Sequence, residues 1–179
     1  DLYQGRLADR ITRFFQENGG FLTKADFENY EVQWREPIST DFQGHTLHTM
    51  PPGSCGMTML QALNIMDGFD LPNMDLYGTE FLHLWLEAYK LALIDDDQYN
   101  TGKDVDIPVD RLISKEYADA QRAKIDPTKV ASFPGPLLST EGTTSLSSAD
   151  RWGNAVAFTQ SLVSGFGSGV VAGDTGIFL

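Results

Sequence analysis

The sequence predicts an α+β domain, helical over most of its length and closing in antiparallel strands. Three observations carry this expectation. Apolar residues recur at helical spacing through positions 7–15 and again through 79–94. Two strand-like runs, 144–150 and 155–161, flank the polar turn Arg151-Trp152-Gly153-Asn154. Between these regions the composition changes abruptly. Charged residues are frequent up to Gly142, and beyond it Ser, Thr, Gly and Val dominate. The boundary is therefore placed at Gly142/Thr143, with a mostly helical part over 1–142 and a strand part over 143–179.

The elements follow in order. Leu7, Ile11, Phe14 and Phe15 line one face of a first helix, which Gly19-Gly20 stops. Thr23 caps a second, short helix over 24–30. Val32 and Trp34 alternate with polar residues and read as a strand. Another strand is expected over 46–50, before the break at Pro51-Pro52. Met59, Leu60, Leu63 and Ile65 mark a helix ending near Gly68. The strongest helix spans 79–94, with Leu82, Trp85, Leu86, Tyr89 and Leu93 on one face and Asp95-Asp96-Asp97 ending it. Ser114 caps a further helix through Tyr117 and Ala120. Pro127, Pro134, Gly135, Pro136 and Gly142 make 126–142 an exposed linker.

Composition excludes several classes of function. The chain has 179 residues, enough for one domain or for part of a larger one, and a formal net charge of −12. So acidic a chain does not suit nucleic acid, whose phosphates need clustered Lys and Arg. Cys55 is the sole cysteine, so no disulfide forms within the chain. No run of about 18 apolar residues spans a membrane, and no signal peptide is visible. The chain opens on Asp1 within a helical pattern, as expected of a processed or truncated product.

The most informative stretch begins at Thr143. A Pro- and Gly-rich segment runs into the hydroxyl pair Thr143-Thr144, and the two strand-like runs follow. A Thr exposed as a new chain start supplies a nucleophile in its hydroxyl and a base in its freed α-amine. Gly142, lacking a side chain, allows close approach to its carbonyl. If 144–150 and 155–161 pair with Asp150 facing Ala155, then Thr144 faces Ser161, and the Ser161 hydroxyl comes back beside Thr143. Thr143 and Ser161 are therefore the candidate catalytic residues, and Gly142-Thr143 the candidate cleavage site. This chemistry needs no metal and no cofactor. Thr also commonly begins an edge strand, so the hydroxyl pair alone does not decide.

A wider pattern does. Gly19-Gly20-Phe21-Leu22-Thr23 with Asp26 comes first, then Pro51-Pro52-Gly53-Ser54-Cys55-Gly56 and Leu63-Asn64-Ile65. His83, Glu87-Ala88 and Lys90 follow on the long helix. Thr143-Thr144, Gly153-Asn154-Ala155-Val156, Thr159-Gln160-Ser161-Leu162 and Phe166-Gly167-Ser168-Gly169-Val170-Val171 complete the series. In this order they resemble a central piece of the gamma-glutamyltransferase (gamma-glutamyltranspeptidase) family of N-terminal nucleophile hydrolases. The resemblance implies a four-layer αββα fold in the complete protein. It makes 1–142 the C-terminal part of a large-subunit region and 143–179 the start of a small-subunit region. It implies that Thr143 begins the small subunit as nucleophile, supported by the Ser161 hydroxyl where the family usually has Thr. The remaining segments of the same precursor would be its partners, and a γ-glutamyl or related amide its substrate. A periplasmic or secreted location follows from the resemblance, with a cytoplasmic one left open.

Two positions depart from the family pattern. Ser145 stands where His is usual. Val163 stands where Asn usually helps to hold the α-amine of a γ-glutamyl substrate, and a Val neither donates nor accepts a hydrogen bond. Val163 is thus a candidate substrate-binding position, and it points towards relatives that hydrolyse other amides, such as oxamate-type amidohydrolases and acylases. An uncleaved, non-catalytic relative is the remaining alternative. Other motifs lead elsewhere only weakly. Gly165, Gly167 and Gly169 lack the spacing and following helix of a nucleotide loop. His45 and His48 lie three apart near a strand and point to opposite faces. His83 reads as a structural hydrogen-bonding residue. The Asp95-Asp96-Asp97 run lacks the Gly and Glu of a calcium loop, and Cys55 reads as inert.

Overall fold

A computed structural model describes residues 1–99, 106–132 and 141–179, with only the backbone described at Glu141, Gly142 and Val163. In chain order the elements are α1 (Arg6–Glu17), α2 (Lys24–Glu28), β1 (Ile38–Phe42), β2 (His45–Thr49), α3 (Gly56–Met66), α4 (Thr79–Tyr99), α5 (Val109–Leu112), α6 (Lys115–Arg122), β3 (Glu141–Ala149) and β4 (Ala155–Ser164). β1 pairs with β2 and β3 with β4, both antiparallel, so the chain is α+β. It divides into two compact units, Asp1–Gln33 with Leu137–Leu179, and Trp34–Pro136. No helix among the described residues is long and apolar enough to cross a membrane. Of the expected linker, 133–140 lies outside the described residues.

In the second unit, α3 is the central element. It is apolar on nearly every side, and eight of its residues, including Met57, Leu60 and Ile65, are buried. Ile65 and Met66 pack with Leu84 and Ala88 of α4 and Ala118 of α6. Most buried polar groups on α3 are paired, the Gln61 side-chain oxygen excepted. The buried Asn64 donates to the Ile113 carbonyl at 2.7 Å, while its oxygen accepts from Thr40 and from Lys115, both at 2.8 Å. One side chain thus ties β1, α3 and α6 together. Arg122 closes the C-terminal end of α3 by donating to the Ile65 and Asn64 carbonyls, at 2.7 and 3.1 Å. Gly68 leaves room for it, because a Cβ at that position would displace the Arg122 guanidinium.

The β1–β2 connection is the two-residue loop Gln43-Gly44, with φ of 48° and 79°, as an I′ turn requires. Asp67 holds the strained Gln43 by accepting from its backbone N–H at 3.2 Å and its amide at 2.9 Å. Burial works to raise the Asp67 carboxyl, but the bonds from Lys115 and Gln43 outweigh it, leaving the group below the usual carboxylate range.

Three expectations are corrected. Val32 and Trp34 form no strand: both are strongly exposed, and no ladder partner meets them among the described residues. Helix α4 does not stop at Asp95 but continues to Tyr99. The buried Asp95 accepts from Gln61 at 2.7 Å and from the Tyr117 hydroxyl at 2.9 Å, and Asp96 accepts from Thr58 at 2.9 Å. These acids bind the helix to its neighbours instead of ending it. The buried face of α4 is also rotated from the expected one. Leu84, Ala88 and Ala92 face inward, whereas Leu82 and Leu86 are exposed.

In the first unit, α1 and α2 lie as expected. Thr23 and Asp26 form a reciprocal capping box at the start of α2. The Tyr3 and Tyr30 rings stack at 5.3 Å. Arg10 of α1 forms an ion pair with Asp174, in the turn that follows the fully buried Ala172. That turn folds back through an isolated bridge between Val171 and Phe178.

Candidate active site

The site is built on the β3–β4 hairpin, and its turn sets the geometry. Asp150 accepts from the Trp152 and Asn154 backbone N–H groups at 2.9 and 3.0 Å and from the Asn154 amide at 2.7 Å. Its own N–H donates to the Asn154 carbonyl at 2.9 Å. Gly153 supplies the positive φ of 88° that the turn needs. These bonds, foremost the one from the Asn154 side chain, hold the Asp150 carboxyl below its ordinary range.

Because Asp150 closes the turn with Asn154, Ala149 rather than Asp150 stands across from Ala155. The ladder then runs one for one to Thr143. Thr144 faces Gln160, and Thr143 itself faces Ser161. The expected register, with Thr144 across from Ser161, is therefore off by one residue. The corrected register brings the two candidate catalytic residues directly opposite each other. Their side chains meet: Thr143 Oγ1 donates to Ser161 Oγ at 3.0 Å.

Alternation along the strands gives the hairpin two unlike faces. Thr143, Ser145 and Ser147 share one with Ala157, Thr159 and Ser161 across the ladder. Leu146, Val156 and Phe158 lie on the other, with Leu146 opposite Phe158. The nucleophile candidate thus sits on a face of small hydroxyl-bearing residues. The sequence reading missed the Ser145–Thr159 pair on that face. The signal was present as hydroxyls recurring at every second position from Thr143 to Ser147, a pattern that becomes informative once the register is known.

Gly142 belongs to β3, so the Gly142–Thr143 bond lies in strand at the far end of the hairpin from its turn. Val163 lies in β4, but its side chain falls outside the described residues. Between Ser161 and Val163 the ladder changes register, since Thr143 pairs with Ser161 but Glu141 with Ser164.

Three titratable residues elsewhere are bonded within the second unit. His83 Nε2 lies 2.9 Å from the Asp126 carbonyl. Glu87, buried on α4, accepts from Lys90 at 2.6 Å and from the Ala131 N–H at 3.2 Å. Burial, with the bond to Asp95, pushes the Tyr117 hydroxyl up to about 12. Among the described residues, no group of three or more His, Cys, Asp or Glu side chains is placed to hold a metal ion. The second unit carries an apolar groove of about 670 Å³ lined by residues such as Phe42, Leu71, Tyr77, Phe81 and Trp85. Its lining has no carboxylate, imidazole or amine.

The whole chain is similar to known proteins. The family model for gamma-glutamyltranspeptidase matches residues 1–179. A glutathione hydrolase-like YwrD proenzyme from Bacillus subtilis (strain 168) is 38% identical over 178 residues, 99% of this chain and 34% of that protein. A glutathione hydrolase proenzyme from Escherichia coli (strain K12) is 37% identical over 187 residues, covering 100% of this chain and 32% of its own length. Among solved structures, a cephalosporin acylase from Bacillus halodurans shares the fold with a TM-score of 0.86 at 40% identity, over 99% of this chain and 32% of that one. The chain spans about a third of the length of each of these relatives. From its first residue to its last, then, the chain belongs to the gamma-glutamyltranspeptidase family.

Proposed function

We propose that this chain carries the nucleophile and the self-cleavage site of an amide hydrolase and acyltransferase that matures by cutting itself between Gly142 and Thr143. The observation that supports this most is the bond from Thr143 Oγ1 to Ser161 Oγ. It points the hydroxyl proton at an acceptor and fixes the oxygen next to the Gly142–Thr143 peptide.

In the precursor, Thr143 Oγ attacks the Gly142 carbonyl carbon. The C–N bond breaks, the nitrogen takes up the proton, and the acyl group rests on Thr143 as an ester. Water hydrolyses the ester, leaving a carboxylate on Gly142 and a free α-amine on Thr143. Such an amine has a pKa of about 7.7–8.0, so near neutral pH a useful fraction is unprotonated and accepts the hydroxyl proton. An amide substrate then acylates Thr143 and releases its amine. Water or an acceptor amine takes the acyl group and restores the hydroxyl. Ser161 orients the nucleophile in both reactions. The remaining large- and small-subunit segments of the precursor would supply the rest of the pocket.

Gamma-glutamyl amides are the first substrate class, in keeping with relatives named glutathione hydrolase proenzymes. An amidohydrolase or acylase of other specificity is the second, favoured by Val163 in place of an amine-binding Asn and by the likeness to a cephalosporin acylase. Intact-mass analysis of the full-length protein tests the core of the proposal. A fragment beginning at Thr143 is expected, and Thr143→Ala should remain whole. Cleavage of that mutant at the same bond would refute self-processing. Comparing a γ-glutamyl anilide with its des-amino glutaryl counterpart then separates the two substrate classes. A preference of about a hundredfold for the γ-glutamyl compound, some 2.7 kcal/mol, selects the first; near parity selects the second.

A further inference from the structure

The β3–β4 ladder runs one residue against one from Ala149↔Ala155 to Thr143↔Ser161. The next pair is Glu141↔Ser164. Two steps along β3 are matched by three along β4, so β4 carries one extra residue, within Leu162-Val163, opposite Gly142. This is a β-bulge. It leaves a residue unpaired, bends its strand and sharpens the local twist. The turn is already closed by Asp150 at the other end, and the one-for-one ladder is otherwise unbroken. The interruption coincides with the Gly142–Thr143 peptide.

We propose that this bulge is a positioning device for self-cleavage, releasing the Gly142–Thr143 peptide from the regular ladder so that the Thr143 hydroxyl can reach its carbonyl carbon. The inference rests on the reading of Gly142–Thr143 as the cleavage site. Attack closes a small ring through Oγ, Cβ, Cα, the Thr143 nitrogen and the Gly142 carbonyl carbon. The oxygen must approach that carbon from outside the peptide plane, and the plane must rotate to meet it. A peptide held by ladder hydrogen bonds to a flat partner strand resists rotation. Opposite a bulge the ladder is irregular and locally twisted, and Gly142 adds no Cβ to hinder the turn. Thr143 meanwhile stays anchored by the last regular pair and by its bond to Ser161. The scissile peptide thus lies at the irregular step of the ladder while the nucleophile is held by the last regular pair.

Deleting Leu162 from the full-length precursor tests this directly. The deletion leaves Thr143 across from Ser161 and Ser164 across from Glu141, so it removes the bulge without shifting either flank. Cleavage should slow by about a hundredfold, the loss expected when a positioned attack is displaced by about 1 Å. Hydroxylamine, which opens esters, should not restore it, because the defect precedes the ester. Leu162→Ala keeps the bulge and should cleave at close to the parental rate. A deletion variant that cleaves normally, one that hydroxylamine restores, or a Leu162→Ala variant as slow as the deletion would each overturn the proposal. Hydrogen exchange on the uncleaved Thr143→Ala precursor gives a measurement independent of how the deletion folds. The amides of residues 162–163 should exchange faster than those of 157–160, and equal protection would also overturn it. Failure of the parent protein itself to cleave would instead refute the underlying reading of the site.

Discussion

Removing the Ser161 hydroxyl separates the chemical role of this residue from any structural one. Thr143 Oγ1 donates to Ser161 Oγ at 3.0 Å, and both residues are exposed in the chain described. A neutral bond that water can replace contributes about 1 kcal/mol or less to stability. The melting temperature of Ser161→Ala should therefore fall by no more than about 2–4 °C. The rate should respond far more. Placing a proton acceptor beside a nucleophile is worth about 10²–10⁴, and a hydroxyl, a weak acceptor, belongs at the lower end. A hundredfold loss corresponds to about 2.7 kcal/mol of transition-state stabilisation. Two assays read it: the time course of precursor cleavage by intact mass, and turnover of a γ-glutamyl anilide by whatever mature enzyme forms. Ser161→Thr restores a hydroxyl and should recover most of both rates. Parental rates in Ser161→Ala, or no recovery in Ser161→Thr, would refute the assignment of this hydroxyl to the nucleophile.

Three further outcomes are expected of the full-length protein. The Tyr117 hydroxyl is raised from an ordinary value of 10.0 to about 12, so the folded state keeps a proton that the unfolded state has begun to lose. Stability from this source is whole below about pH 10 and drains away as pH rises towards about 12; urea midpoints across that range should show it, and Tyr117→Phe should flatten the decline. Gly68→Ala should drive the Arg122 guanidinium off the Ile65 and Asn64 carbonyls and cost about 1–3 kcal/mol in urea unfolding; an unchanged midpoint would remove Arg122 as the closure of α3. Asp150→Ala removes the acceptor for three hydrogen bonds that close the turn, and should slow maturation, as a time course of cleavage would show, by loosening the register that brings Thr143 to Ser161.

Most helices were legible because their signals are local. The capping box at Thr23 and Asp26 and the Ser114 hydroxyl accepting from the Tyr117 N–H stand as the residue types imply. What failed depended on partners distant in sequence. In α4 the large side chains Leu82, Trp85 and Leu86 marked one stripe, but Ile65 and Met66 of α3 pack with Leu84 and Ala88. Small residues let two helices approach closely, and a pattern weighted by side-chain size passes over them. The Asp95-Asp96-Asp97 run looked like a solvated helix end because nothing nearby in sequence reveals Gln61, Thr58 and Tyr117 waiting across the packing. Conversely, Val32 and Trp34 alternate as a strand should, yet alternation alone forms no strand without a ladder partner.

The candidate site shows the same division in finer form. Residue types pointed to Thr143 and Ser161, and the pairing of two strands around residues 151–154 was readable from the turn. The register was not, because a single side chain decides it. Asp150 can either begin the ladder or cap the turn, and its three bonds to Trp152 and Asn154 select the cap. That shifts every pair by one, and moves Ser161 from Thr144 to Thr143. The unequal count beyond Thr143 is harder still to read. An extra residue in β4 leaves no mark in composition or alternation, since Leu162 and Val163 suit a regular strand equally well. It emerges only from the pairs on either side, Thr143↔Ser161 and Glu141↔Ser164. A strand of suitable residues is thus a weak guide to where its ladder is broken. In this hairpin the break falls at the Gly142–Thr143 peptide, where a regular ladder would most hinder the cleavage proposed here.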